Sequence, residues 1–278
     1  MFTIDELITT IGFSDEEKQE ILSFSDDDSK KDKITYIFEC IKAKDFKSIN
    51  EKISQDADYA RASLLCMLKI AVVKWDSYIE KGIPYSIYVD TMGDIKVWAY
   101  NYRRQTGVLG LAEVEWIYGS VNLFRFKLGR LQFNFEEFRE NEHYTVDVGL
   151  KNGDKVLDVH IQQDGPFTDD LCGESFKMAE EFYEKYFSDF DYKAFTCHSW
   201  LLSPGLAQVL PETSNIIKFG KRFTILEYDP ENDGQAVERI FETRFKGENF
   251  KPTSLQERAR KLLDEGGHLG IAMGVILK

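Results

Sequence analysis

The spacing of apolar residues changes near residue 123, and this change constrains the fold more than any other feature of the sequence. Before it, apolar residues recur at intervals of three and four, the period of an amphipathic helix; the first such set is Ile4, Leu7, Ile8 and Ile11. After it, apolar and polar residues alternate, as in residues 131–135 (LQFNF), which is the period of a half-buried strand. The pattern predicts two domains, a mainly helical one over residues 1–122 and one containing a sheet over residues 123–278.

The helical half has a predicted centre. Residues 61–80 are apolar nearly all round, which predicts a helix buried on every side. Pro84 lies where a proline is tolerated, in the first turn of the following helix. The acidic run at residues 26–28 predicts a polar break between two shorter helices.

The second half alternates strands and helices. Gly129 and Arg130 separate two alternating stretches, which predicts a β-hairpin, and residues 152–154 (NGD) predict the turn before a third antiparallel strand. Thr168 is a candidate N-cap for a helix that runs to Tyr186. The strands predicted after the hairpin cover residues 156–161, 195–202, 223–228 and 268–277, and a short helix capped by Ser214 or Asn215 reaches Phe219.

The last strand has an uneven composition. Its large residues, such as Ile271 and Val275, alternate with small ones, among them Gly270 and Gly274. A face without side chains lets backbone or a ligand come close. We therefore expect this strand to lie in the interior of the sheet.

Charge and targeting signals narrow the class of protein. The formal net charge is −13, which disfavours nucleic acid and membrane surfaces as partners because both are anionic. The N-terminal residues lack the basic and apolar segments of a secretory signal, and no apolar stretch reaches membrane-spanning length. These features predict a cytoplasmic protein.

The sequence offers no metal or nucleotide motif. The cysteines are scattered without CxxC spacing, which predicts free thiols and no zinc site; they are Cys40, Cys66, Cys172 and Cys197. A glycine-rich GK[ST] loop is also missing, which argues against a kinase or a nucleotide hydrolase.

Several short stretches match one protein family in their residues and in their order along the chain. They are residues 128–133 (LGRLQF), 158–161 (DVHI), 164–167 (DGPF), 197–204 (CHSWLLSP) and 214–216 (SNI), with 82–84 (GIP), 101–102 (NY) and 116–117 (WI) in the helical half. Together they resemble the GNAT superfamily, and in particular a bacterial subgroup that joins a helical N-acyltransferase N-terminal domain to a GNAT-like C-terminal domain. The resemblance spans most of the chain. It implies an α/β (α+β) fold, a mixed sheet with flanking helices preceded by a mainly helical domain.

The resemblance also implies an activity. It implies an N-acyltransferase that uses acetyl-CoA or another acyl-CoA as co-substrate, needs no metal, and acylates a small-molecule or peptide amine. The pantetheine arm would lie between the strands over residues 156–161 and 195–202. The loop after the first of these strands would present amides to the pyrophosphate, helped by the N-terminus of the next helix. The residues implied in acyl-CoA binding are Ile161, Gln162, Gln163, Gly165 and Asn215.

The chain departs from the family's pattern around that loop. Of the glycines that usually form the phosphate loop only Gly165 is present, and Pro166 beside it removes an amide donor. Carboxylates stand where a phosphate group would bind, at Asp164, Asp169 and Asp170. The link before the last strand is also longer than the family's.

Two residues are candidates for chemistry. His160 is the first candidate for a general base, because imidazole titrates near neutrality and lies beside the implied thioester path. Ser199 is the second, since a hydroxyl on an apolar strand needs a partner. A structural role is the competing interpretation for both, as helix capping is for Asn215. Cys197 points away from His198 on the same strand and is interpreted as a buried thiol.

Two hypotheses about function remain open. The first is the acyl-CoA-dependent N-acyltransferase. The second is a catalytically silent GNAT-like module that binds a ligand or another protein, and the altered phosphate loop and the acidic charge are the reasons for it.

Overall fold

The computed structural model describes residues 2–241 and 251–278. The chain divides into two compact units, Met1–Leu128 and Gly129–Lys278. The division between residues 122 and 123 that the apolar pattern suggests stays a prediction. Among the described residues, no helix combines the length and the apolar composition needed to cross a membrane.

The first unit is built from helices, as predicted, and ends in a short strand. Helices α1 and α2 begin at capping boxes formed by Thr3 with Glu6 and Ser14 with Glu17. The elements of this unit are α1 (Ile4–Thr10), α2 (Asp15–Asp26), α3 (Lys31–Ala43), α4 (Phe46–Ile53), α5 (Asp58–Lys81), α6 (Tyr85–Thr106), α7 (Val114–Val121) and β1 (Arg125–Leu128).

Helix α5 is the centre of this unit over its first half. Leu64, Leu65, Met67 and Leu68 are each at most 1% exposed. The expectation of burial on every side is wrong for the second half, where Val73 is 69% exposed. The predicted polar break after α2 is confirmed by a 3-10 turn at Asp28–Lys30, and Pro84 is the N-cap of α6 rather than part of its first turn.

The second unit is a mixed sheet with helices, which confirms the α/β class. Its strands lie in the order β2-β3-β4-β6-β5. Strand β2 is antiparallel to β3, β3 is parallel to β4, and β6 is antiparallel to both β4 and β5. The elements are β2 (Leu131–Glu137), β3 (Lys155–Ile161), α8 (Asp169–Tyr186), β4 (Ala194–Ser199), α9 (Asn215–Gly220), β5 (Thr224–Asp229), α10 (Gly234–Ile240), α11 (Ser254–Asp264) and β6 (Ile271–Leu277).

Aromatic residues fix α8 against one face of this sheet. The ring of Phe133 on β2 lies 5.8 Å from that of Phe176 on α8 and 5.6 Å from that of Phe195 on β4. Edge-to-face packing of this kind adds to the free energy of burial. Because side chains alternate along a strand, the neighbours of Phe133 on β2 point to the other face.

Strand β6 lies in the interior of the sheet, as its small residues predict. A Cβ built on Gly274 would lie 2.8 Å from Cβ of Phe223, and one built on Gly270 would lie 2.8 Å from the Asp229 carbonyl oxygen. Protein atoms therefore occupy the space next to both glycines, and a larger residue at either position would collide with them.

The predicted strand over residues 195–202 is too long. It ends at Ser199, and Trp200–Leu202 form a 3-10 turn instead. The Ser199 hydroxyl accepts a hydrogen bond from the Leu201 amide at 3.2 Å, and the Trp200 amide donates to Oε1 of Gln235 at 2.8 Å. These side chains replace the ladder partners that would have continued the strand.

Candidate functional site

The sheet opens between its two parallel strands. Among the described residues, β3 and β4 pair only near their starts, at Val156 with Ala194, Leu157 with Phe195 and Asp158 with Thr196. Further along, β3 stays paired with β2 as far as Ile161 and β4 stays paired with β6 as far as Ser199. Residues 159–161 and 197–199 thus border an interrupted ladder, where an extended ligand can add its own backbone-like hydrogen bonds.

A polar group lies where the strands part. The Thr196 hydroxyl donates to Oδ1 of Asp158 at 3.0 Å, and Nε2 of His160 lies 3.2 Å from Oδ2 of the same carboxylate. Asp158 and His160 are two residues apart on β3, so their side chains share a face, as expected. An imidazole and a carboxylate therefore lie together where the strands part, an arrangement that can take part in proton transfer.

Arg130 holds the loop that follows β3. Its Nη2 donates to the Gln162 carbonyl oxygen at 2.8 Å, and its Nε donates to the Pro166 carbonyl oxygen at 2.9 Å. Its Nη1 lies 3.4 Å from Oδ1 of Asp164. Burial lowers the pKa of Arg130, and the Asp164 carboxylate opposes that effect; a guanidinium still stays charged at neutral pH. Arg130 therefore fixes the path of the loop and offsets one of its acids.

A second arginine lies at the N-terminus of α8. Thr168 is the N-cap, as predicted, and its side chain accepts from the Leu171 amide. Arg222 donates from Nε and Nη2 to Oδ1 of Asp169 at 3.0 and 2.6 Å, and from Nη2 to the Asp169 carbonyl oxygen at 3.0 Å. The Arg222 side chain is 30% exposed. The guanidinium thus offsets the Asp169 carboxylate, and the positive end of an 18-residue helix remains as the feature that favours an anion.

The loop residues predicted to bind acyl-CoA lie between these two arginines in the chain. Ile161 is the last residue of β3, opposite Leu131. Gln162 is buried, and Gly165 has a φ of 63°, in the left-handed region that favours glycine. Gln163 lies between them in the same loop. Their contacts with a ligand stay predictions.

The remaining predicted site residues lie at the ends of elements. Ser199 ends β4 and has the structural hydrogen bond described above. Asn215 is the first residue of α9 and is exposed. Ser214 is the N-cap position of that helix and makes no side-chain capping hydrogen bond. Capping therefore does not account for Asn215, and its role in binding stays a prediction.

The cysteines take no part in the site. All four are free, as predicted, and Cys197 is buried on β4, where burial raises its thiol pKa well above the ordinary value. A thiol of that kind is a poor nucleophile. Within residues 2–241 and 251–278, His, Cys, Asp and Glu side chains form no cluster suited to a metal ion.

Sequence reasoning does not single out Thr196, Arg130 or Arg222. The criterion that selects Ser199, a hydroxyl on an apolar strand, applies equally to Thr196. Arg130 stands in a matched stretch, but nothing local connects it to a loop over thirty residues away. Arg222 is 53 residues from Asp169 in the chain, and no sequence pattern links them.

Comparison with known proteins agrees with this architecture. The family model described as "GNAT-like C-terminal domain" matches residues 125–276, and that described as "N-acyltransferase N-terminal domain" matches residues 2–123. None of the curated proteins compared with the chain matches it.

Solved structures share the fold. An acyltransferase in complex with decanoyl-CoA superposes with a TM-score of 0.79 at 21% identity, over 98% of this chain and 86% of that one. An acyltransferase in complex with decanoyl-CoA and teicoplanin superposes with a TM-score of 0.77 at 20% identity, over the same shares of the two chains. At such identities the similarity is one of fold.

Proposed function

The chain belongs to the family defined by a GNAT-like C-terminal domain, joined here to an N-acyltransferase N-terminal domain, and we propose that it transfers an acyl group from acyl-CoA to an amine. The observation that supports this most is the interrupted ladder between β3 and β4 beyond Asp158 and Thr196. A pantetheine arm is thin, extended and carries amide groups, so it suits a gap bordered by two strand edges.

The residues beside that gap supply what the reaction needs. The amine nitrogen attacks the thioester carbon and loses a proton to His160, whose protonated form the Asp158 carboxylate stabilises. The carbon–sulfur bond breaks, the electron pair leaves with sulfur, and the thiolate takes up a proton to give the free thiol. The products are an amide and coenzyme A. Holding the amine close to the thioester in the correct orientation supplies most of the remaining rate.

The phosphate groups of the donor suit the end of the gap near α8. The helix N-terminus favours an anion there. Two of the carboxylates that would repel a phosphate group are paired with a cation: Asp164 with Arg130 and Asp169 with Arg222. The altered loop is therefore a weaker argument against acyl-CoA than its sequence suggests.

We propose a small-molecule or peptide amine as the acceptor. An acyltransferase of the same fold has been solved with teicoplanin, and the family's first domain is described as that of an N-acyltransferase. From the sequence we place the reaction in the cytoplasm.

Thermal unfolding with a panel of donors tests the proposal. Coenzyme A, acetyl-CoA, octanoyl-CoA and decanoyl-CoA are each added at millimolar concentration, and the Tm is measured. A ligand at about 100 times its Kd adds about 2.7 kcal/mol to the free energy of unfolding, which is an easily measured rise in Tm. No rise with any member of the panel would contradict the proposal.

The alternative is a catalytically silent module with the same fold. A silent module that binds an acyl-CoA would give the same rise in Tm as a transferase. Measuring turnover therefore separates the two functions. Release of the free thiol from the stabilising acyl-CoA, with a panel of amines present, supports the transferase. Binding without thiol release, together with unchanged biological activity in Gln163→Ala and His160→Ala, supports the silent module.

A further inference from the structure

One buried donor near the polar group has no hydrogen-bond partner in the part of the chain that the structure describes. Gln132 on β2 is 1% exposed, and its Nε2 has no hydrogen-bond partner among the described residues. Burying an amide donor in this way costs free energy, because its hydrogen bond to water is lost and not replaced. Buried polar groups are paired with few exceptions, and each exception calls for a reason.

A second buried glutamine in the same unit shows the usual arrangement. Gln256 on α11 is 5% exposed, and its Nε2 donates to the Ile240 carbonyl oxygen at 2.8 Å. Its Oε1 accepts from the Thr253 amide, also at 2.8 Å. Both ends of that amide serve the fold, so Gln256 is a matched reference for Gln132.

Gln132 lies beside the residue proposed as general base. It is directly opposite His160 in the antiparallel ladder of β2 and β3. Directly opposed residues in such a pair share a face, with Cβ atoms about 5 Å apart. That face is the one away from Phe133 and α8. Gln132 and His160 therefore occupy neighbouring positions on one face of the sheet, with His160 beside the point where β3 leaves β4 and Gln132 one strand further from it.

An acyl thioester has a matching acceptor at that point. When the amine attacks, the carbonyl carbon becomes tetrahedral and its oxygen gains negative charge, while the amine proton passes to His160. An N–H donor that is already in place and shielded from water stabilises this charge without reorganising. In the same transition state, the Gln132 donor would then stabilise the carbonyl oxygen while His160 accepts the proton of the attacking amine.

We propose that Gln132 donates a hydrogen bond from Nε2 to the carbonyl oxygen of the acyl thioester and is a catalytic residue. This inference rests on the proposed function. It accounts for the buried donor, because the substrate supplies the hydrogen bond that Nε2 does not make with any described residue.

Binding of matched ligands to Gln132→Met tests the inference. Methionine has a similar length and no donor, and Gln256→Met is the control. Two pairs of ligands differ in the carbonyl group: acetyl-CoA with S-ethyl-CoA, and decanoyl-CoA with S-decyl-CoA. We expect Gln132→Met to weaken binding of the thioesters at least fivefold and of the thioethers less than twofold. Turnover of the thioester should fall about 100-fold, as for loss of one oxyanion donor.

The control and the stability of the variants complete the test. Gln256→Met should lower the Tm, since it removes two hydrogen bonds, and leave both kinds of ligand bound as in the wild type. Gln132→Met should lower the Tm less than Gln256→Met does, because Nε2 of Gln132 makes no hydrogen bond within the described part of the chain. If Gln132→Met does not fold, Gln132→Leu, which also lacks a donor and carries no charge, serves instead.

Three results would overturn the inference. Equal weakening of thioester and thioether would indicate a structural role for Gln132. Wild-type affinity and turnover in Gln132→Met would show that the donor is not used. If the wild type binds neither member of either pair, the proposed function fails, and this inference fails with it.

Discussion

Thr196 donates a hydrogen bond to Asp158 across the last position at which β3 and β4 pair among the described residues. The same Asp158 carboxylate lies 3.2 Å from His160. The interaction that marks the end of the ladder therefore also positions the carboxylate beside the candidate base. It connects the shape of the gap to its chemistry, and the first two predictions concern these residues.

Replacing Thr196 by valine keeps the side-chain shape and removes the hydroxyl. We expect the free energy of unfolding to fall by about 1 kcal/mol, as for loss of one hydrogen bond. We expect kcat/KM to fall about tenfold, since about 1.4 kcal/mol of lost positioning has that effect on a rate. Thr145→Val is the control, because the Thr145 hydroxyl donates to the Leu226 carbonyl oxygen. It should lower stability similarly and leave turnover unchanged; equal turnover in the two variants would contradict the role given to Thr196.

His160→Ala removes the candidate base. We expect turnover to fall by about 100-fold or more, within the range for loss of general-base catalysis. Affinity for the acyl-CoA should change little, because the gap and the phosphate end are untouched. His143→Ala, in an exposed loop, should behave as the wild type in both assays. Turnover within threefold of the wild type in His160→Ala would rule out His160 as the base.

Arg222→Met removes the cation at the start of α8 and leaves the Asp169 carboxylate without it. We expect affinity for acyl-CoA to fall about tenfold, since each charge-assisted contact contributes about 1.5 kcal/mol or more. Affinity for the corresponding acyl-pantetheine, which has no phosphate, should be unchanged. Lys221→Met is the control, because Lys221 is a neighbouring exposed cation whose partner is the exposed Glu212. Equal losses for the two ligands would contradict a role for Arg222 at the phosphate end.

Stability should fall as the pH rises past neutrality because of His268. Its hydrogen bond with Asp233, 2.7 Å long, raises the pKa of His268 above 6.5. Burial alone would raise the pKa of Asp233, but hydrogen bonds from Gly270, His268 and Leu269 outweigh it and hold the value below 3.8.

The two pKa shifts act on stability at opposite ends of the pH range. A histidine whose pKa is raised by folding contributes stability that is complete below 6.5 and is lost as the pH rises through its folded value. The Asp233 contribution is complete above 3.8 and is lost as the pH falls through its folded value. The Tm of the wild type should therefore fall as the pH rises above 6.5. The fall should be smaller in His268→Gln. A wild-type fall that His268→Gln reproduces in full would assign the effect to other groups.

Local patterns predict much of the second unit. The Gly129-Arg130 turn, the Thr168 cap and the interior position of β6 each follow from a few adjacent residues, because turn, cap and strand alternation are local properties. The order of elements then limits the sheet to few topologies. The neighbourhood of Asp158 and His160 follows from their spacing on one strand.

Long-range contacts account for what the sequence does not reveal. The early end of β4 depends on Gln235, which binds the Trp200 amide from 35 residues away. The carboxylates of Asp164 and Asp169 read as obstacles to a phosphate because their partners, Arg130 and Arg222, lie 34 and 53 residues away. The sequence shows that these carboxylates are present, but only the folded chain shows which arginines pair with them.

A crystal structure of the protein with a non-hydrolysable acyl-CoA analogue tests the central claim most directly. We predict density for the pantetheine arm between residues 159–161 of β3 and 197–199 of β4, with the pyrophosphate at the start of α8. Strands β3 and β4 paired along their whole length, with the analogue bound elsewhere, would contradict it.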